Sequence, residues 1–186
     1  RTVNLHDDDK PLLKKLQMIT SKPVLYVCNV NEEDAAEGNE FSRNVAKMAQ
    51  EQNANYVVIS AAIEAEISVM DSEDDKQEFL QSLGLNEAGL DKIIRSGFDL
   101  LNLQTYFTAG PKEARAWTIH KGDKAPQAAG VIHTDFQRGF IKAEVIGFED
   151  YVAGKGEQGA KEQGKMRQEG KEYVVRDGDV ILFRFN

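Results

Sequence analysis

Two short polar motifs in the first half of the sequence have the residue types needed to recognise a nucleotide base. The first, Asn29-Val30-Asn31-Glu32, follows the apolar run 24–28, and the second, Ser60-Ala61-Ala62, follows the apolar run 56–59. An asparagine side chain offers both a hydrogen-bond donor and an acceptor, whereas a carboxylate only accepts. Backbone N–H groups at the start of a following helix supply further donors. Together the two motifs have the groups needed to bind the polar edge of a purine.

The segments around these motifs are typical of a parallel sheet. Residues 24–28 and 56–59 are short continuous apolar runs, which predict strands buried on both faces. Between them, Val45, Met48 and Ala49 recur at helical spacing. A strand, a helix and a second strand predict a right-handed crossover between two parallel strands. Because ligands bind at the carboxyl ends of strands in open α/β sheets, we expect both motifs to lie at one binding edge.

The first motif resembles the base-binding loop of P-loop GTPases, Asn-Lys-x-Asp, with two changes. Val30 replaces the lysine and Glu32 replaces the aspartate. That aspartate accepts hydrogen bonds from guanine N1–H and the 2-amino group, whereas adenine lacks the 2-amino group and has an acceptor at N1. We expect Asn29 to face N7 and the 6-amino group of adenine, Val30 to cover the base, and Ser60, Ala61 and Ala62 to close the other side. The alternative is a strand-to-helix loop with capping polar groups.

The distribution of charge indicates two domains. The formal net charge is −8, but residues 1–103 have ten basic and 19 acidic residues, whereas residues 104–186 have 13 basic and 12 acidic ones. This shift coincides with a change in secondary-structure pattern, and the alternative is chance clustering of surface charge. The overall acidity argues against a protein that coats nucleic acid by bulk positive charge.

The second half of the chain has the pattern of a small β-grasp, ubiquitin-like domain. The predicted elements are strands at 105–108 and 114–119, a helix at 127–140 and a strand at 141–148. Residues 154–170 predict a mobile loop or a loosely held helix. Residues 173–175 and 180–183 predict a hairpin around a turn at 176–179.

Six further segments occur in a fixed order along the chain: 60–66, 83–85, 101–110, 114–118, 132–145 (IHTDFQRGFIKAEV) and 177–186 (DGDVILFRFN). Together they resemble the YchF family, the Obg-like ATPases, from about Lys22 to the end of the chain. The resemblance implies the C-terminal part of a P-loop NTPase domain with a parallel sheet at 22–103, and a β-grasp TGS domain at 104–186. It also implies that 1–21 hold a lead-in helix, at about 11–19, returning from the family's helical insert.

The resemblance implies an ATP-preferring, ribosome-associated member of the translation-factor class of P-loop NTPases. The family's Asn-x-x-Glu base loop corresponds to Asn29 and Glu32. ATP, with Mg²⁺ in the intact protein, is the implied cofactor. Ribosome or ribosomal RNA contact through the TGS domain and a cytoplasmic location are also implied, with no membrane partner. The oligomeric state is not predicted.

The sequence lacks the motif that binds phosphates in P-loop enzymes. G-x-x-x-x-G-K-[ST] does not occur in the 186 residues, so the clustered backbone N–H groups, the lysine and the magnesium-binding hydroxyl are missing. We therefore expect no ATPase activity, no catalytic residue and no metal ligand in this chain alone. We expect the chain to be part of a longer protein, or the missing half to be supplied elsewhere.

Several other patterns have a simpler structural explanation. His133 and Asp135 are two residues apart on a predicted helix, so they do not face each other as catalytic partners would. An aromatic platform for RNA is less favoured than core packing; its members would be Tyr106, Phe107, Trp117 and Phe140. A basic face on the second domain is a weak prediction, since acids are equally frequent there. The alternative function is a non-catalytic module that binds RNA, the ribosome or a protein through the TGS domain.

Overall fold

The chain divides into two units between Leu101 and Asn102, and the computed structural model describes residues 6–186. In the first unit the elements are α1 (Lys10–Lys15), β1 (Leu25–Asn29), α2 (Glu40–Glu51), β2 (Asn55–Ile59), α3 (Ala61–Ser68), α4 (Glu73–Ser82) and α5 (Gly89–Leu100). Single 3₁₀ turns lie at Asp7–Asp9, Ile19–Ser21 and Glu32–Asp34.

The predicted parallel crossover is confirmed. β1 pairs with β2 in parallel, from Leu25 opposite Asn55 to Asn29 opposite Ile59, and α2 connects them. A capping box fixes the start of α2: Asn39 Oδ1 accepts from Ser42 N–H at 3.1 Å, and Ser42 Oγ accepts from Asn39 N–H at 2.9 Å. These bonds satisfy two backbone N–H groups that would otherwise lack a partner at the helix start, so α2 begins directly after Asn39.

The prediction that these strands are buried on both faces is wrong within the described residues. Val27 is 45% exposed and Tyr56 is 47% exposed. These two residues lie on opposite faces of the two-stranded sheet, so neither face is fully covered in the described part of the chain. The unit's buried cluster lies instead among the helices that follow β2, around Ile63, Leu80 and Leu85.

The continuous helix predicted at 11–19 is also wrong. Helix α1 ends at Lys15, and Gln17 has a φ of +50°, a left-handed conformation that an α-helix cannot include. Pro11 lies in the first turn of α1, as the sequence predicts. Residues 1–5 of the predicted lead-in segment lie outside the described residues.

The second unit is a five-stranded sheet with helices on its faces. Its elements are β3 (Leu103–Ala109), β4 (Ala114–His120), α6 (Ala125–Ile132), α7 (Thr134–Arg138), β5 (Phe140–Gly147), α8 (Phe148–Ala153), α9 (Glu157–Glu162), β6 (Arg167–Glu169) and β7 (Asp179–Phe185). The strand order is β4-β3-β7-β5-β6. β7 runs parallel to β3 and antiparallel to β5, which matches the β-grasp architecture predicted from the sequence.

The core of this unit lies between the sheet and α6. Tyr106, Ile119, Val145 and Ile181 from the sheet are almost completely buried there, with Ala128 of α6. Tyr106 Oη donates a hydrogen bond to the Ala128 carbonyl at 2.9 Å, so the one polar atom of this large side chain is satisfied.

The helix predicted at 127–140 is two helices, because His133 interrupts it. The backbone of His133 is extended, with a φ of −159°, and its Nδ1 accepts a hydrogen bond from Asp135 N–H at 3.2 Å. The side chain therefore caps α7 and ends α6. Gly139 then leads into β5, so Phe140 belongs to a strand.

The turn predicted at 176–179 forms, with Asp179 N–H donating to Arg176 C=O at 3.2 Å, but the hairpin predicted around it is wrong because β7 pairs with β3 and β5 instead of residues 173–175. Tyr173 C=O accepts from Ala125 N–H at 2.8 Å, and Val175 N–H donates to Asp123 C=O at 3.0 Å. Gln104 Nε2 also donates to Val175 C=O at 2.7 Å. These bonds hold residues 173–175 beside the start of α6, while β7 enters the centre of the sheet. The segment 154–170, predicted to be a mobile loop or a loosely held helix, contains the short helix α9 and the strand β6.

Candidate functional site

The structure brings the two polar motifs together at the carboxyl end of the parallel strands. Asn29 is the last residue of β1 and Ile59 the last of β2. Asn29 Oδ1 accepts a hydrogen bond from Ala61 N–H at 2.9 Å, and Val30 N–H donates to Ile59 C=O at 2.9 Å. The motifs are thus joined by one side-chain bond and one backbone bond, although 32 residues separate Asn29 from Ala61.

The bond to Ala61 decides which groups Asn29 can offer to a ligand. One lone pair of Oδ1 is engaged, whereas the Nδ2 amide group has no hydrogen-bond partner among the described residues. The residue is exposed, so this amide NH₂ group is accessible. Asn29 therefore presents chiefly a donor, oriented by a fixed acceptor.

The second motif forms the start of α3. Ser60 is the N-cap residue, yet its side chain accepts no capping hydrogen bond. Ser60 is 3% exposed, and its buried Oγ has no hydrogen-bond partner in the described part of the chain. A buried hydroxyl without a partner costs stability. Ala61 and Ala62 are exposed, and the N–H of Ala62 is one of the donors that the first turn of a helix leaves unpaired.

Val30 and Glu32 differ in how they relate to this junction. Val30 follows β1 directly and is half-buried. Glu32 begins the 3₁₀ turn that follows; it is exposed, and no hydrogen bond or ion pair joins it to Asn29 or Ala61 within residues 6–186. The structure therefore brings Asn29, Val30 and the second motif together, whereas Glu32 lies in the exposed turn after β1.

A cavity of about 420 Å³ lies beside the end of β1. Its lining includes Cys28, Asn29, Val30, Phe41 and Val45, so most of its wall is apolar. Burial raises the pKa of the Cys28 thiol, which keeps it neutral and favours a lining role over nucleophilic chemistry. The volume lies in the range of small-ligand pockets. Neither Glu32 nor the second motif lines it.

Sequence reasoning missed the pair that fixes α3 against α5. Glu64 Oε1 accepts from Gly89 N–H at 2.6 Å, and Glu64 Oε2 accepts from Leu90 N–H at 3.1 Å. The carboxylate thus caps α5 from another helix. A Cβ on Gly89 would lie 2.8 Å from Ile59 Cγ2, so the start of α5 packs tightly under the end of β2. The partners are 25 residues apart, and no local spacing signals them.

The aromatic platform considered for the second unit does not form. Tyr106 and Phe140 are buried in the core, and Phe107 lies on the opposite face of β3 from Tyr106 because successive strand residues alternate. Phe107 contacts Phe148, with ring centroids 5.7 Å apart. Trp117 is half-buried and donates from Nε1 to a threonine hydroxyl, with the Arg115 guanidinium 4.0 Å above its ring.

Many of the basic side chains in the second unit are paired with acids. The ion pairs include Lys124–Glu172, Lys142–Glu144, Lys165–Asp150, Arg167–Glu169 and Arg184–Glu144. Partial burial by itself would raise the pKa of Glu144, but hydrogen bonds and charges from Arg184 and Lys142 outweigh it and lower that pKa. The local charges are therefore partly neutralised, which leaves the basic face a weak feature.

Metal-binding clusters and membrane-spanning helices are both absent from the part of the chain that the structure describes. Within that part, no group of three or more histidine, cysteine, aspartate or glutamate side chains could hold a metal ion. None of the helices in residues 6–186 combines the length and apolar character needed to cross a membrane.

Comparison with known sequences gives matches along the whole chain. The family model YchF-GTPase_C, described as a protein of unknown function, matches residues 103–186. The "Ribosome-binding ATPase YchF" of Bacillus subtilis is 53% identical over 188 residues, covering 100% of this chain and 51% of that protein. The "Obg-like ATPase 1" of Gallus gallus is 43% identical over 184 residues, covering 97% of this chain and 46% of that protein. The similarity thus begins before Lys22, earlier than predicted.

Two solved structures resemble the fold. The Schizosaccharomyces pombe YchF GTPase has a TM-score of 0.80 and 35% sequence identity, covering 99% of this chain and 49% of that one. A GTP binding protein from Pyrococcus horikoshii has a TM-score of 0.61 at 16% identity, covering 99% and 58%, and shows similarity of fold alone. The chain spans about half the length of the curated relatives it matches.

Proposed function

The chain belongs to the YchF family and corresponds to the C-terminal half of its members, and on that premise we propose that it supplies the base-recognition loops and the TGS domain of an ATP-preferring, ribosome-associated NTPase. Relatives at 53% identity carry the name ribosome-binding ATPase. A ribosomal partner implies a cytoplasmic location.

The observation that carries the proposal is the bond between Asn29 Oδ1 and Ala61 N–H. It connects the two loops that would bind a base, and it orients the Nδ2 amide group of Asn29 as a hydrogen-bond donor. Both purines have an acceptor at N7, so this donor binds the base without choosing between adenine and guanine.

The choice of adenine rests on the rest of the first loop. The position that holds an aspartate in Asn-Lys-x-Asp loops is Glu32, which lies in the exposed turn after β1. A carboxylate that is not held against the base edge gives guanine no paired acceptor for its N1–H and 2-amino groups, which removes the main source of guanine preference. Val30, half-buried beside the strand end, covers the base with an apolar side chain.

The phosphoryl chemistry is assigned to residues outside this chain. The phosphate-loop sequence does not occur in the 186 residues, so phosphates and Mg²⁺ would be held by the half of the family's length that this chain does not match. Catalysis there would consist of positioning and electrostatic stabilisation of the γ-phosphoryl group.

Nucleotide binding by the full-length protein tests the base assignment. Equilibrium titration with fluorescent ATP and GTP analogues is expected to show tighter binding of ATP, and a clear preference for GTP would contradict the proposal. Replacing both Val30→Lys and Glu32→Asp restores the Asn-Lys-x-Asp pattern and is expected to raise the affinity for GTP relative to ATP. Glu33→Asp, an exposed neighbour, is the control and should change neither affinity.

The second candidate function is a non-catalytic binding module in the second unit. It is favoured by the compact β-grasp fold with its own core. Co-sedimentation with ribosomes separates the candidates, since the NTPase proposal expects association to depend on the bound nucleotide. Ribosome binding by residues 104–186 that equals that of the full-length protein, irrespective of ATP, would leave only the binding module.

A further inference from the structure

The outer edge of β4 carries backbone groups that the sheet does not use. β4 is the first strand in the sheet order, so β3 is its one partner among the described strands. The bond from Gly110 N–H to Glu113 C=O, at 2.9 Å, fixes which pairs of the β3–β4 ladder exchange hydrogen bonds. Because bonded and non-bonded pairs alternate in an antiparallel ladder, the backbone groups of Ala114, Ala116 and Thr118 point away from β3.

The other end of the ladder agrees with this assignment and marks where the free edge stops. Lys121 N–H donates to Asn102 C=O at 2.8 Å, so this pair is also bonded. The next outward N–H belongs to His120, and Asp123 Oδ2 accepts it at 2.9 Å. The unpaired stretch therefore runs from Ala114 to Thr118.

This stretch lacks the features that usually protect a sheet edge. β4 has seven residues, contains no proline and pairs with β3 without a register shift. Its one charged side chain in the stretch, Arg115, folds over the Trp117 ring and makes no ion pair within residues 6–186. Ala114, Ala116 and Thr118 are exposed, and their small side chains lie on the opposite face from Arg115.

We propose that this edge pairs with the same edge of a second copy of the chain, in an antiparallel arrangement centred on Ala116. Ala116 would face Ala116 of the second copy, and Ala114 would face Thr118 on each side. These are the residues whose N–H and C=O groups point outward, so every outward group of both copies gains a partner. The contact is isologous and closes as a dimer with one continuous sheet.

The side chains on the other face are complementary in the same register. Arg115 would lie opposite Trp117 of the second copy, at a non-hydrogen-bonded pair, where side chains approach most closely. Each guanidinium, already above its own Trp117 ring, would then contact a second ring, and no two arginines would be directly opposed.

Neighbouring registers fit less well. Centring the pair on Arg115 would place Arg115 directly opposite Arg115, which is unfavourable. Centring it on Trp117 or Thr118 would require the His120 N–H, which Asp123 already engages. The Ala116 register alone uses all the outward groups without an opposed charge pair.

The expected affinity is low, because one strand edge buries less surface than the roughly 1,200 Å² of a stable interface. Sedimentation equilibrium of the 186-residue chain between about 10 μM and about 1 mM covers the corresponding range of dissociation constants. The weight-average mass is expected to rise from 20.8 kDa toward twice that value. A mass that stays at 20.8 kDa throughout overturns the proposal and leaves the edge to an unrelated strand.

Two further measurements tie any association to this edge. Ala116→Pro removes one outward N–H, a change that a solvent-facing edge tolerates, and is expected to abolish association; Ala116→Val keeps the N–H and should dimerise like the parent. In the parent chain, exchange of the Ala114, Ala116 and Thr118 amide protons should slow on the order of tenfold when most of the chain is paired. Association that leaves these amides unchanged, as through the exposed apolar residues of the first unit, overturns the proposal.

Discussion

Asn29 Oδ1 lies 2.9 Å from Ala61 N and joins the ends of two neighbouring parallel strands. The acceptor Oδ1 fixes the second loop, while the Nδ2 amide group has no hydrogen-bond partner within residues 6–186 and is the group that we propose binds a base. If the proposed function is right, structure depends on Oδ1 and ligand binding on Nδ2 of the same side chain, and substitutions can separate the two.

Asn29→Ala removes both atoms, whereas Asn29→Asp keeps the acceptor and removes the donor. We expect Asn29→Ala to lower the free energy of unfolding of the first unit by about 0.5–1.5 kcal/mol, and Asn29→Asp to change it less. In the full-length protein both should weaken nucleotide binding, because alanine lacks the donor and the aspartate variant places a carboxylate against the N7 acceptor. Urea unfolding followed by circular dichroism measures the first effect. Asn31→Ala is the control, and equal losses of stability in the two Asn29 variants would contradict the assignment.

The placement of the two polar motifs at the ends of β1 and β2 could be predicted because it depends on short-range sequence patterns. The apolar runs before Asn29 and Ser60 specify two strands, and parallel pairing then places both motifs at one edge. The bond between Asn29 and Ala61 was not predictable, since it depends on the register of strands that are distant in sequence. The same holds for Glu64 and Gly89, which share no local pattern.

Errors in the second unit have a similar origin. Residues 173–175 have the composition of a strand, but hydrogen bonds from Ala125 and Gln104 hold them elsewhere. His133 has no strong helix-breaking tendency, and its side-chain bond to Asp135 N–H ends one helix and starts the next. Tertiary partners decide the structure at both places, where local propensity is weak.

Gly89 is predicted to be a position where only glycine fits. Gly89→Ala places Cβ 2.8 Å from Ile59 Cγ2 and 2.9 Å from Glu64 Oε1, so the first unit should lose about 1–3 kcal/mol of unfolding free energy. Gly97→Ala is the matched control in the same helix: its Cβ meets nothing within 4 Å, and we expect a gain of about 0.5–1 kcal/mol. Circular dichroism in urea gives both values. Trp117, the single tryptophan, lies in the second unit, and its fluorescence should report an unchanged transition.

Glu64 is predicted to stabilise α5 through its two backbone acceptor bonds. Glu64→Gln keeps the shape but retains one acceptor and loses the charge at the helix start, so we expect a loss of about 1–2 kcal/mol in the same unfolding assay. Glu66→Gln removes an exposed carboxylate from the same helix and should change the stability by less than about 0.5 kcal/mol. Similar values for the two variants would mean that the cap contributes little.

Tyr173 is predicted to make the second unit sensitive to alkaline pH. Its hydroxyl donates to Asp179 Oδ2 at 2.7 Å and accepts from Arg167 Nη2 at 3.1 Å. Burial, and then the hydrogen bond and negative charge of Asp179, raise the pKa of Tyr173 from 10.0 to about 12. Because the folded pKa lies above the unfolded one, this stabilisation is complete below about pH 10 and is lost as the pH rises through about 12.

Tyr173→Phe should therefore reduce stability near neutral pH by about 1 kcal/mol and flatten its decline above pH 10. Urea unfolding followed by Trp117 fluorescence, repeated across this pH range, measures both effects in the unit that contains Tyr173. Tyr151→Phe is the control, since the Tyr151 hydroxyl makes no hydrogen bond within residues 6–186 and its removal should leave the decline as steep as in the parent. Burial also raises the pKa of Tyr106, so part of the decline remains in Tyr173→Phe. A decline in Tyr173→Phe as steep as in the parent would show that the bond to Asp179 is not the source of the sensitivity.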